Sequence, residues 1–290
     1  MLTTLHNACL TLTVSDKGAE MQSLRSAEGI DYLWDGNPAY WSGRAPHLFP
    51  IVGALRDDRA DSEAGPVRLP KHGFIRRAQT QLVQASDTVA VYRCTSDAET
   101  LEGYPYPFVW SVRYELQERE VQVTYTVENT GDRPMPYCIG GHPGFRVQLG
   151  EGEEFEDTVL EWEYPETVNC PQIDLVHCLI EDNHYNRLVT DKNQIHLSHV
   201  LFRADALIFE NMKSKWLQLR GPSGHGVRVT SDMPYWGVWS PGDDAPLVCI
   251  EPWTGMGTRT SEDNVLEHKL GMRRLPAGES ATHRFSILTF

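Results

Sequence analysis

Residues Phe108–Asn129 read FVWSVRYELQEREVQVTYTVEN. Apolar side chains take every second position in each half: Phe108, Trp110, Val112, Tyr114 and Leu116, then Val121, Val123, Tyr125 and Val127. Successive side chains of an extended chain leave on opposite faces, so a period of two marks a half-buried strand. The polar break between the halves predicts the turn of a hairpin. The same alternation recurs on both sides of this stretch, in ACLTLTV (8–14), QLVQA (81–85), TVAVYRCT (88–95), WLQLRG (216–221), GVRVTS (226–231) and HRFSILTF (283–290). Helical periodicity is scarce. SDAETLEG (96–103) and SEDNVLEHKLG (261–271) each begin with Ser and acidic residues and end at Gly, which predicts two short capped helices. With no low-complexity linker and no internal repeat, the pattern predicts one all-β domain over 1–290. The expected architecture is a large sandwich of antiparallel sheets with few short helices. Sheets of that size can curve to leave a groove, with loops at the strand ends supplying its polar groups.

Composition narrows the function classes. The chain has 290 residues, enough for one sizeable core. Its net charge of −14, from 40 acidic and 26 basic residues, disfavours phosphate-rich partners such as nucleic acid. No apolar run is long enough for a membrane helix. The N-terminus, MLTTLHNACLTLTVSDKGAEM, has alternation in place of the basic start and apolar segment of a signal peptide. Six cysteines, at 9, 94, 138, 170, 178 and 249, form no CxxC pair and read as free thiols of a cytoplasmic protein. Cys138, close to His142 in sequence, reads as a small core residue.

Four segments carry residues suited to chemistry. GGHPGF (140–145) places His142 between glycines and a proline at a strand end, where the chain can bend and the ring can face a cavity. LVCIEPWTG (247–255) ends an apolar strand on Glu251, and a buried carboxylate is costly unless it is paired or used. LPKHGFIRR (69–77) holds His72 and Arg76, and GRAPHLFPIVGALRDDR (43–59) holds Arg44 and Arg56. Each residue also has a plain structural reading: His142 and His72 as satisfied loop histidines, Glu251 as a salt-bridge partner, the arginines as solvated charges, Trp239 and Trp253 as core aromatics. A metal site from His72 and His142 lacks any ligand spacing. The histidines of DNHYNRLVTDKNQIHLSH (182–199) lie in a polar loop and strand with no HExxH and read as structural.

The order of LFPIVG, LPKHGF, GGHPGF, DALIFEN and IEPWTG along the chain resembles the aldose 1-epimerase (galactose mutarotase-like) superfamily, in its bacterial branch that includes the LacX-like proteins. The early GAEMQSLRSAEGIDYLWDGNPAYW is similar to that branch's opening, so the resemblance runs from about residue 7 to the C-terminus. It implies a β-supersandwich with a sugar groove, His142 and Glu251 as the catalytic acid–base pair, and His72, Arg76 and Asp205 as sugar-binding residues. Where related sequences often carry Arg after the FPIVG glycine this chain has Ala54, so Arg44 or Arg56 is expected to supply the charge. Trp236, Trp239 or Trp253 is expected to stack on the sugar, with Trp239 chosen. The implied activity is anomer interconversion of an unphosphorylated aldohexose with no metal or other cofactor, by a monomer or homodimer. Alternatives are a hexose-6-phosphate 1-epimerase, a non-catalytic carbohydrate-binding protein on the same fold, or a glycan lyase or hydrolase domain.

Overall fold

The computed structural model describes residues 1–189, 192–210, 212–242 and 244–290. Among the described residues the largest sheet has nine strands, all antiparallel, in the order Gln194–His196, Val159–Trp162, Trp216–Arg220, Gly226–Ser231, Ser280–Thr289, Glu120–Asn129, Phe108–Gln117, Val89–Thr95, Gln81–Ala85. The hairpin predicted from Phe108–Asn129 pairs Glu120 with Gln117 and runs to Asn129 opposite Phe108. Every strand expected from alternation is present within two residues of its expected ends, except that the last begins three residues earlier, at Ser280. The alternation is kept in the burial: Trp110, Val112, Tyr114, Val121, Val123 and Tyr125 are sealed off, and the intervening residues are part-exposed.

The buried face of this sheet packs against a second sheet that holds the candidate site. Its order is Leu207–Phe209, Tyr235–Trp239, Leu247–Trp253, Gly140–Gly141, His47–Leu48, with Gly144–Arg146 also paired to Leu247–Trp253. Leu247–Trp253 is buried at every position, as a strand covered on both faces must be. One core cluster joins Trp110 and Tyr125 of the large sheet to Phe209, Val238 and Ile250 of the second. Each such side chain contributes roughly 1.5–3 kcal/mol on burial. His47 crosses between the layers: its Nδ1 lies 2.7 Å from the Tyr125 hydroxyl and its Nε2 lies 2.6 Å from that of Tyr114. A three-stranded sheet, Leu2–His6, Leu10–Ser15 and Met21–Ser26, precedes them, and the hairpin Thr167–Asp174 with Leu179–Val189 is added later.

One helix expectation is met and one is corrected. Ala98–Gly103 is helical, with Asp97 and Thr100 exchanging hydrogen bonds as a capping box. The stretch SEDNVLEHKLG is no helix and contains only a single 3₁₀ turn, Leu266–His268. Asn264 takes φ +67°, and the chain bonds across to Asp61: Asp61 N–H donates to the Asn264 carbonyl and Leu266 N–H to the Asp61 carbonyl. Tertiary pairing with another loop supplies the bonds a helix would have made. Residues 190 and 191 of the histidine-containing run, and Asn211 of DALIFEN, lie outside the described residues. Among the described residues no helix is long and apolar enough to cross a membrane.

Candidate active site

The site begins with Gly140 and Gly141. The sequence suggested a sharp bend there, but neither glycine has a positive φ. They are extended and required by close packing: a Cβ on Gly140 would lie 2.6 Å from the Trp253 ring, and one on Gly141 would lie 2.9 Å from the Phe285 ring. This strand presses against Trp253 and delivers the next residue, His142, whose N–H donates to the Pro46 carbonyl at 3.0 Å. On the neighbouring strand, alternation sends Cys249, Glu251 and Trp253 to one face. The result is an imidazole beside a carboxyl: His142 Nε2 lies 3.3 Å from Glu251 Oε1. Glu251 Oε2 and His142 Nδ1 have no hydrogen-bond partner and are buried.

The pair forms one wall of a cavity of about 280 Å³, near the lower bound of small-molecule pockets. Trp41 stacks on His142 (ring centroids 5.1 Å, 26° between planes), and Trp239 and His72 meet it edge-on, each at 5.7 Å. His72 Nδ1 accepts from the Gly53 N–H at 3.1 Å, which leaves the proton of the neutral ring on Nε2. Asp205 and Arg76 also face the cavity, and Asp205 Oδ2 lies 3.4 Å from Lys71 Nζ. Trp253 is in the lining and Trp236 is not. The hairpin contributes Ile173, Cys178 and Ile180. Cys138, by contrast, is in the core, against Gly271 and Met272.

Two of the expected sugar-contacting residues are elsewhere. Arg56 Nη2 donates to the carbonyls of Arg259, Thr260 and Glu262 and ties that loop down. Arg44 donates to Gln22 Oε1 and lines a neighbouring groove. A correction follows for the position of Ala54: the cavity wall there is apolar, and its cations come from Lys71 and Arg76. Lys71 and Trp41 were not singled out from the sequence. Lys71 adjoins His72 in LPKHGF and could have been noticed, whereas nothing about AYWSGR marks Trp41, which reaches the site by a loop.

Burial sets the charge states. It lowers the His142 imidazole to about 3 and takes His72 well below the ordinary histidine range, with His142 a further influence on the latter. Burial also raises Glu251 well above the usual carboxylate range, against the pull of Lys71. Burial thus works in the same sense on both members of the pair, disfavouring the charged carboxylate and the charged imidazolium alike. Among the described residues one trio of metal-type donors exists, His142, Cys249 and Glu251, with ligand atoms within 4.8 Å of one another. Burial keeps the Cys249 thiol well above its usual range, and a thiol ligates poorly until it loses its proton.

These buried histidines make a stability prediction. His47 and His283, like His142, are lowered by burial, both to about 4. Unfolded histidines take up a proton near pH 6.5, and the folded ones refuse it until pH 3–4. The unfolded state binds more protons in that window, so stability is full above about pH 6.5 and falls as pH drops toward 4. Glu251 acts with the opposite sign, one group against four histidines, His72 included. His47 alone is worth roughly 3 kcal/mol over the window. Urea titrations from pH 7 to 4 should show the decline, with a shallower one in His47→Gln; equal slopes in the two proteins would exclude His47 as a source.

Comparison with known proteins gives the chain's family and relatives of the same fold. A family model described as aldose 1-epimerase matches residues 1–288. Protein LacX (chromosomal) of Lactococcus lactis subsp. lactis is 33% identical over 273 residues, 91% of each chain. The crystal structure of a galactose mutarotase related enzyme from Lactobacillus acidophilus superposes with a TM-score of 0.95 at 32% identity, covering 100% of this chain and 97% of that one. A galactose mutarotase-like protein from Lactobacillus casei gives 0.91 at 26% identity, with 100% of both chains covered.

Proposed function

The chain belongs to the aldose 1-epimerase family, and from that premise we propose that it interconverts the α and β anomers of an aldohexose whose C1 hydroxyl is free. The reading is carried by the His142–Glu251 pair, 3.3 Å apart on the cavity wall with its second carboxyl oxygen unpartnered. Ring opening needs the C1 hydroxyl proton removed and the ring oxygen protonated. In the resting state Glu251 is the acid that protonates the ring oxygen, and neutral His142 is the base that takes the C1 hydroxyl proton. The C1–O5 bond breaks, C1 becomes an aldehyde carbon, and the bond from C1 to C2 rotates. In closure the O5 hydroxyl attacks the other face of the carbonyl, the imidazolium returns its proton to O1, and Glu251 recovers the proton from O5. No proton is gained or lost over the cycle. The two oxygens are borne by one carbon, which suits adjacent catalytic groups better than groups on opposite sides of the ring.

The remaining residues hold the sugar in this proposal. His72 Nε2–H donates to a hydroxyl or to the ring oxygen. Asp205 and Arg76 bind hydroxyls, and Lys71 orients Asp205. Trp239, Trp41 and Trp253 offer apolar faces. Residues 1–290 act as one unit, in the cytoplasm, and no cofactor takes part in the steps above. Activity measured by exchange NMR between anomers should be indifferent to chelators and to added nucleotides; loss on EDTA dialysis, restored by one particular metal, would overturn the cofactor-free reading. A purely sugar-binding role would leave no use for the buried acid–base pair, and anomer exchange no faster than in buffer would favour it.

A further inference from the structure

In the register of the second sheet, Ile208 pairs with Gly237 and Gly237 pairs with Glu251. Paired residues of neighbouring antiparallel strands send their side chains to the same face, so Ile208 and Glu251 share a face with a glycine between them. The Trp253 ring covers that glycine: a Cβ on Gly237 would lie 2.3 Å from it. The strand carrying Glu251 has Tyr235–Trp239 on one side and Gly140–Gly141 on the other, and His142, 3.3 Å from Glu251, follows the latter. The order across the sheet is therefore His142, Glu251, the Trp253 ring, Ile208.

The chemistry changes along this row. Trp253, Ile208 and Ile180 belong to one apolar cluster, with Ile173 packed against it. Ile173 and Ile180 are paired across the hairpin, and both line the cavity. Ile180 spends its N–H on the Thr258 carbonyl and its carbonyl on the Thr260 N–H. Gly257 joins Ile180 to Ala54, since a Cβ there would lie 3.6 Å from Ile180 Cδ1 and 3.8 Å from the Ala54 nitrogen. The hairpin's other contribution, the Cys178 thiol, is a weak hydrogen-bonding group.

We propose that the site selects sugars with a methyl group on C5 in place of the hydroxymethyl group, that is, 6-deoxyaldohexoses. The proposal rests on the reading that His142 acts on O1 and Glu251 on O5. Both oxygens are borne by C1, so the direction from His142 to Glu251 runs from O1 to O5. C5 is the next ring atom, and its substituent continues along the row, over the Trp253 ring toward Ile208, Ile180 and Ile173. A methyl group there buries apolar surface against apolar surface. A hydroxyl there gives up water and meets no strong partner among those side chains. The hydroxyls on C2, C3 and C4 are left to His72, Arg76 and Asp205.

The test uses three pairs of sugars that differ only at C6: D-fucose and D-galactose, D-quinovose and D-glucose, L-fucose and L-galactose. Anomer exchange (kcat/KM) and calorimetric affinity are measured for the parent protein and for Ile208→Thr, Ile208→Val, Ile180→Thr and Ile180→Val. Thr and Val differ by a hydroxyl at nearly constant volume, so each Thr–Val comparison separates polarity from the space a lost methyl group leaves. In every pair that is turned over, the deoxy member should be preferred by about tenfold to a hundredfold, the range over which an apolar pocket rejects an added hydroxyl. That ratio should be about two- to tenfold lower in each Thr variant than in its Val counterpart, the worth of one neutral hydrogen bond. Equal kcat/KM and affinity within each pair, or the same ratio in Thr and Val variants, would overturn the proposal and leave the epimerase reading standing. Tighter binding of the deoxy member with no sugar turned over would keep the apolar subsite and sink the epimerase reading. Binding of none of the deoxy sugars would overturn both.

Discussion

Replacing Glu251 by Gln, or His142 by Asn, is expected to slow anomer interconversion by at least ~10²-fold, the usual size of a general acid–base contribution. Glu251→Gln keeps the side-chain volume and should leave the surrounding packing intact, whereas His142→Asn gives up the ring that Trp41 and Trp239 pack on and should loosen the site there without unfolding the chain. The His142→Asn chain loses a ring whose charged form burial disfavours, and the Glu251→Gln chain loses a carboxyl whose charged form burial disfavours. Neither change leaves a stranded charge, and thermal melts should move by only a few degrees. Because opening the ring needs a proton given to O5 and a proton taken from O1 in the same step, the two groups act as a unit, and removing both should cost little more than removing one. Exchange NMR on folded single and double variants decides the matter. Near-normal turnover in Glu251→Gln would falsify the assignment, and multiplicative losses in the double variant would show two independent roles.

The second large effect is expected at Gly73. It follows His72 with φ +70°, and a Cβ built there would lie 2.2 Å from the Phe49 carbonyl oxygen, a backbone atom with no freedom to turn aside. Left-handed strain and the forced backbone shift each cost about 1–3 kcal/mol, so Gly73→Ala should lose roughly 3–4 kcal/mol. The damage is also local to the site. The loop is tied to Phe49 by the Phe74 N–H and to Gly53 by the His72 N–H and ring. Moving it takes His72 away from the sugar, so KM should rise in whatever fraction stays folded. Denaturant titration and steady-state kinetics on the same preparation separate the two losses. A Gly73→Ala protein of parental stability would mean the loop can reshape around a methyl group.

Local pattern was sufficient for much of the architecture. The period of two in Phe108–Asn129, and in six further stretches, located strands correctly, because alternation is a property of the chain itself and one buried face enforces it. The capping box at Asp97 was legible for the same reason: all its groups lie within four residues. The motif order also placed His142, Glu251, His72, Arg76 and Asp205 in a common setting, and the structure brings all five to one cavity, together with Trp239 and Trp253 of the three tryptophans among which the sequence did not decide. Where partners come from distant segments, the sequence was silent or misleading. SEDNVLEHKLG has the ends of a helix, yet Asp61 pairs with it from 200 residues away. Arg44 and Arg56 sit in the same motif as the cavity-lining Gly53 and Ala54, but one braces against Gln22 and the other against the carbonyls of 259–262. A side chain's direction depends on which neighbour offers it a partner, and spacing along the chain carries no record of that. The glycines of GGHPGF were marked by sequence for a bend they do not make; only the packing against Trp253 and Phe285 shows why both positions must be glycine. The charge states belong wholly to the tertiary structure as well. His142 and Glu251 are ordinary titrating residues in the unfolded chain, and the removal of water from both, by layers assembled from the whole length of the sequence, lowers the imidazole and raises the carboxyl.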